Sequence, residues 1–130
     1  MHIKIIEETD IAKVVQDVMI AASEIGFNKT KQFIIATAAS ELARNIFVYA
    51  RKGDIYIKDL NVNGRKGLEI IAEDQGPGIA NVKLALEDNY STTESLGIGL
   101  PGTKRLMDEF KIESEVGKGT RINIKKWLDL

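Results

Sequence analysis

Three glycine clusters set the tightest limit on what this chain can fold into: "GPG" at 76–78, "GIGLPG" at 97–102 and "GKGT" at 117–120. A glycine inside a helix or strand costs about 0.5–1 kcal/mol relative to alanine. Clusters therefore mark turns, caps and points where another group approaches the backbone closely. The first cluster follows an apolar run in "LEIIAEDQGPGIA" at 68–80, where Asp74 stands between a strand and its loop. Only short elements fit between the clusters, and the question is whether all three serve one site.

Periodicity supplies the elements. "HIKII" at 2–6 alternates like an edge strand. In "TDIAKVVQDVMIAASEIG" at 9–26, Ile11, Val14, Val15, Val18, Met19 and Ala22 recur at helical spacing. Thr9 or Asp10 is the N-cap there and Gly26 the C-cap. A second helix is expected from the capping residue Thr30 to residue 50. "IYIKDLNV", the loop "NGRKG" and "LEIIAED" then read as a β-hairpin. From 79 to 96 the chain passes from a turn or two of helix in "NVKLALED" into hydroxyl-rich "NYSTTES", which suits a mobile loop. "LPGTKRLMDEF" at 100–110 resumes helical spacing, and "KIESEVG" with "TRINIKKWL" closes a second hairpin around Gly117–Gly119. Helices and hairpins come in separate runs. That order predicts an α+β fold with a mixed, mostly antiparallel sheet and helices on one face. Trp127 reads as core packing, with partner contact as the alternative.

The totals exclude several classes. One domain, 1–130, is expected: the length suffices for a core without cross-links, and no repeat or linker interrupts it. A net charge of −1 gives no electrostatic reason to expect nucleic acid or acidic membrane as a partner. With no cysteine and only His2, thiolate metal sites, a histidine zinc cluster and a Ser-His-Asp triad drop out. Apolar runs such as "FIIATAA" at 33–39 are too short to span a bilayer, and no signal-peptide pattern opens the chain, so a cytoplasmic location is the default expectation.

Four constellations could carry chemistry. In "ELARN", Glu41 and Asn45 lie just over one helical turn apart and project from the same face. A solvated helix face shows the same spacing, but "FIIATAAS" before it implies a helix covered on most sides, where a carboxylate and an amide need partners. A hard cation with a phosphate would serve. In "EDQGPG", Asp74 after a strand could accept a hydrogen bond from an exocyclic amine; a capped turn is the plain alternative. "GIGLPG" matches the dinucleotide fingerprint G-x-G-x-x-G by letter but lacks the strand before it and the βα units after it. What survives is a glycine-rich helix N-terminus, with free N–H groups and a positive dipole end. "GKGT" is explained by a hairpin turn, or Thr120 could bond a ligand.

The order "ELARN", "DQGPG", polar loop, "GIGLPG", "GKGT" resembles the ATP-binding domain of the gyrase, Hsp90, histidine-kinase and MutL (GHKL) superfamily, from about residue 37 to the end. "IAEDQGPGI" and "GLPGTKRLMDEF" are similar to the small bacterial serine/threonine kinases that regulate sigma factors, the switch kinases of the stressosome, over nearly the whole chain. The resemblance implies a two-layer α/β sandwich of the Bergerat type, with ATP and Mg²⁺ as cofactors. It implies that Asn45 holds the magnesium and that Glu41 is the general base or the orienter of the nucleophile. Asp74 would recognise the adenine amine, Gly76 and Gly78 would make room for the base, and residues 80–96 would form a lid. Gly97, Gly99, Leu100 and Gly102 would give the phosphates backbone access, and Thr120 would support the adenine side. Some relatives carry a lid arginine; here 79–97 hold only Lys83, so Lys83, Lys104 and Arg105 are all open as the neutralising cation. Implied partners are STAS-domain regulatory proteins as substrates, with a PP2C-type phosphatase or a sigma factor as a further contact. A histidine-kinase catalytic domain would need a phosphoaccepting histidine on a dimerisation helix, and a conformational ATPase would need a transducer domain; neither is expected here. A module that acts on its partner by contact alone stays as the alternative function.

Overall fold

Alternation along the strands divides a helix-facing side of the sheet from its opposite side. The computed structural model describes residues 1–87 and 99–128. On β3 (Arg65–Asp74), Leu68, Ile70 and Ala72 enter the core while Glu69 and Glu73 point the other way. β2 (Gly53–Val62) does the same with Ile55 and Ile57, and β5 (Gly119–Trp127) with Ile122 and Ile124. β1 (His2–Ile5) lies at one edge and β4 (Glu109–Glu115) at the other, in the order β1-β2-β3-β5-β4. Every pairing among the described residues is antiparallel, in line with the mostly antiparallel sheet expected. The far side carries cross-strand charge pairs such as Glu73 with Arg121 at 3.2 Å, which keep that open face soluble.

α1 (Asp10–Ile25) and α2 (Lys29–Asn45) cover the other side, burying Val14 and Val18 from α1 and Ile35, Ala38, Ala39 and Leu42 from α2. Thr9 holds the N-cap position of α1, one of the two residues expected there, without a side-chain capping bond. Asp10 begins α1, and its carboxylate accepts the N–H groups of Ile6 and Glu7 at 2.9 and 2.8 Å, bracing the turn before the helix. α2 starts earlier than Thr30, because Asn28 Oδ1 accepts the N–H of Lys31. Gly26 closes α1 as expected, with φ 120°.

After Asn45 the helix widens into a π-turn over Ile46–Ala50, and Arg51 at φ 71° stops it. Lys29–Ala50 together is long and apolar enough to cross a membrane, contrary to the expectation that every apolar run is too short. Its buried stripe lies inside the domain and includes Gln32 and Glu41, so here it is the central helix of the core.

The "NGRKG" loop is tighter than expected. Val62 pairs with Arg65, so Asn63 and Gly64 alone make the turn, both with positive φ (55° and 85°). That is the two-residue type I′ turn whose twist matches the strands. Nothing lies within 4 Å of where a Cβ on Gly64 would sit. Gly64→Ala is therefore expected to lower stability by about 1 kcal/mol from backbone strain alone, read by urea unfolding with unchanged slope.

Two short helices complete the chain, α3 (Val82–Ala85) and α4 (Gly99–Leu106). α4 stops before Phe110, which the sequence reading had placed on the helix. Lys126 of β5, itself buried, donates to the carbonyl of Leu106 at 2.6 Å and ends the helix, and Glu109 and Phe110 pair with Lys125 and Ile124 instead. Trp127 is buried on the far side of the sheet: its indole N–H donates to Glu109, and the Arg65 guanidinium lies 4.5 Å from the ring centre.

Candidate active site

Helical and strand periods bring side chains from distant segments to one hollow. Leu42, Asn45, Ile46 and Tyr49 lie at i, i+3, i+4 and i+7 and line a cavity of about 400 Å³. Ala72 and Asp74 add alternate residues of β3, and Thr120 and Ile122 alternate residues of β5. Pro77 to Asn81 and Ala85 form one wall, and Gly99, Leu100 and Pro101 at the start of α4 another. The volume suits a small-molecule ligand, and the lining is apolar with a few polar groups at its ends.

Asn45, Asp74, Gly78, Gly99, Leu100 and Thr120 thus share one cavity, while Glu41, Gly76 and Gly102 do not line it. Gly97 and residues 88–96 of the expected lid lie outside the described residues. Lys83, Lys104 and Arg105 are exposed and also away from the lining.

Asp74 sits opposite Thr120 at the ends of β3 and β5. Burial pushes its carboxyl above the usual aspartate range, against hydrogen bonds from the backbone of Gly76 and Thr120 that pull it down. The Gly76 N–H donates to Oδ1 at 2.9 Å. A carboxylate held with this much desolvation is where a donor from a ligand would be most strongly felt.

The glycines beside Asp74 have a reason other than room for a base. A Cβ on Gly78, which has φ 75°, would lie 2.2 Å from the carbonyl oxygen of Glu115. One on Gly76 would lie 2.6 Å from the Cβ of Ala50. Both let the 75–81 loop pack against the π-turn and the β4–β5 turn, where Gly117 N–H also donates to Pro77 O at 2.9 Å. The protein itself fills the space that the sequence reading reserved for a ligand at Gly76.

α4 opens on the cavity. Its first-turn N–H groups have no partner within the helix, and its dipole directs positive charge toward the same place. Glu41, 4% exposed, meets Arg44 with Oε1 3.5 Å from Nη1, one turn before Asn45 on α2. Among the described residues no three His, Cys, Asp or Glu groups could together cage a metal. Magnesium keeps waters and takes one or two protein oxygens alongside substrate phosphates, so a single side-chain carbonyl such as that of Asn45 fits that donor set.

Sequence reasoning passed over the apolar wall and Ser114. Leu42, Ile46 and Tyr49 were legible as one helical stripe, but their spacing alone does not distinguish a core from a cavity. Ser114 lies in "KIESEVG", which read only as a hairpin strand, and only the β4–β5 register places its hydroxyl 2.8 Å from Thr120 Oγ1.

Comparison with known proteins gives this geometry a setting. The serine/threonine-protein kinase RsbT of Bacillus subtilis (strain 168) is 52% identical over 126 residues, 97% of this chain and 95% of that protein. An anti-sigma F factor of Clostridium kluyveri is 35% identical over 97 residues, covering 71% of this chain and 68% of its own length. Among solved structures, the mycobacterial sensor histidine kinase MprB matches with a TM-score of 0.60 at 18% identity, over 98% of this chain and 97% of that one, which is a likeness of fold. A family model described as the histidine kinase-like ATPase domain matches residues 7–126, and with its antiparallel sheet, helical layer and cavity the chain belongs to that family.

Proposed function

We propose that this protein is an ATP-dependent serine/threonine protein kinase that phosphorylates a STAS-domain regulatory protein in stress or sigma-factor signalling by partner switching. The observation that carries it is the convergence of Asn45, Asp74, Thr120 and the start of α4 on one cavity, in a chain 52% identical to a serine/threonine-protein kinase.

ATP is the substrate in this reading. Asp74 and Thr120 receive the adenine, the apolar wall of Leu42, Ile46 and Ile122 covers its faces, and the phosphates extend toward Asn45 and α4. The N–H groups around Gly99, with Gly97 and Gly102, and the α4 dipole hold the phosphate charge. Asn45 would hold magnesium, which would supply positive charge to offset that of the phosphates. Glu41 takes the proton of the acceptor Ser or Thr hydroxyl. The hydroxyl oxygen then bonds to the γ-phosphorus, the bond to the β–γ bridging oxygen breaks, and ADP leaves. For this the Glu41 carboxylate turns from Arg44 toward the incoming hydroxyl.

A second activity, contact with a sigma factor, is supported by the anti-sigma F factor relatives, and a PP2C-type phosphatase is a further partner in this reading. In this reading the protein works in the cytoplasm. Incubation with radiolabelled ATP, magnesium and candidate STAS proteins tests the proposal. Acid-stable label on a serine or threonine of the partner is the expected result. Acid-labile label would move the assignment to histidine chemistry, and tight nucleotide-independent binding without transfer would leave only the contact role.

A further inference from the structure

Ser114, Thr120 and Asp74 form a row across three neighbouring strands, because Ser114 pairs with Thr120 and Thr120 with Asp74. Strand alternation turns the whole row toward the helical layer, at the end of the sheet where the cavity opens. Ser114 Oγ has three polar neighbours there: the Ile79 N–H at 2.7 Å, the Gly119 carbonyl oxygen at 3.1 Å and Thr120 Oγ1 at 2.8 Å.

Counting protons fixes who donates. A hydroxyl has one proton and two lone pairs. The Ile79 amide can only donate, so it occupies one lone pair. The Gly119 carbonyl can only accept, so it takes the Ser114 proton. One lone pair is left for the third neighbour, so with all three contacts made as hydrogen bonds the Thr120 hydroxyl donates to Ser114. With its only proton committed, Thr120 Oγ1 offers the cavity acceptor lone pairs alone. Asp74, adjacent on β3, is also an acceptor when ionised.

We propose that Ser114 is a positioning residue for base specificity. By committing the Thr120 proton, it makes this end of the cavity acceptor-only and so selects a purine bearing an exocyclic amine over one bearing a carbonyl oxygen there. The inference rests on the nucleotide-binding reading and adds to it a residue that sets the hydrogen-bond polarity of the site. Ser114 also tethers the 75–81 loop through Ile79, and loss of that tether alone would weaken both purines equally.

The discriminating measurement is the ratio of ATP to inosine triphosphate affinity, by calorimetry on the full chain with magnesium. Wild-type protein binds ATP and favours it. Ser114→Ala frees the Thr120 proton to donate to a carbonyl, and the ratio falls by about tenfold; Ser114→Thr, which keeps the hydroxyl, restores it. Thr120→Val lowers the ratio similarly, and the double variant loses no more than either single one. An unchanged ratio in Ser114→Ala or in Thr120→Val overturns the inference while ATP binding by the wild type stands. Failure of the wild type to bind ATP overturns the nucleotide reading and the inference with it.

Discussion

Glu41→Ala is expected to reduce phosphoryl transfer by about 10²–10⁴-fold while leaving ATP affinity near that of the wild type. Two observations support the split. Glu41 does not line the cavity, so the nucleotide loses no contact when it goes. It stands one helical turn from Asn45, at the end of α2 that borders the cavity, the end to which the proposed function brings the acceptor hydroxyl. The fold tolerates the change because the Arg44 side chain, 37% exposed, can turn to water when its partner is removed. Glu41→Gln keeps the volume and removes only the basicity, so it should match the alanine variant in rate and the wild type in melting temperature. Single-turnover transfer beside ATP titration separates the two effects. Transfer at the normal rate in either variant would remove Glu41 from the chemistry.

Much of this architecture was legible because it rests on local rules. The apolar run of 68–72, the helical stripe of Val14, Val18 and Ala22, and the hairpin around "NGRKG" each depend on a few neighbouring residues. The element order and the antiparallel preference followed from them. What the local rules missed was set by tertiary contacts. The early end of α4 depends on Lys126, twenty residues away, and the packing of Gly78 depends on the carbonyl of Glu115. Trp127 looks like any core aromatic in sequence, yet the strand parity that pairs it with Gly67 puts it on the far side of the sheet. The site divides the same way. Asn45, Asp74 and Thr120 were visible as motif residues, whereas the acceptor state of Thr120 depends on Ser114 and Ile79, which only the register brings together.

Asp74→Asn is expected to weaken adenine nucleotide binding by about tenfold to a hundredfold, the scale of one hydrogen bond to a charged group, without weakening the fold. The asparagine carbonyl can still accept the Gly76 N–H, so the loop keeps its anchor, and relief of the buried charge offsets a weakened bond from the Thr120 backbone. The sign on stability comes from the carboxyl itself. Its pKa in the folded protein is raised by burial, so the native state holds the proton more tightly than the unfolded chain does. Stability therefore falls as pH rises from the ordinary aspartate range through the raised value, and the loss persists at neutral pH. Asp74→Asn never ionises, so its melting temperature at neutral pH should equal or exceed that of the wild type. Nucleotide affinity runs the opposite way with pH. A donor from the base favours the ionised carboxyl, so wild-type affinity should drop as pH falls through the raised pKa of Asp74, and the variant should lack that component. The nucleotide titrates identically against both proteins, and the difference between their pH profiles isolates Asp74. A side chain kept for stability would show a lower melting temperature on substitution and no affinity loss. A side chain kept to meet a ligand would show the reverse, as expected for a carboxylate that the fold would be more stable without.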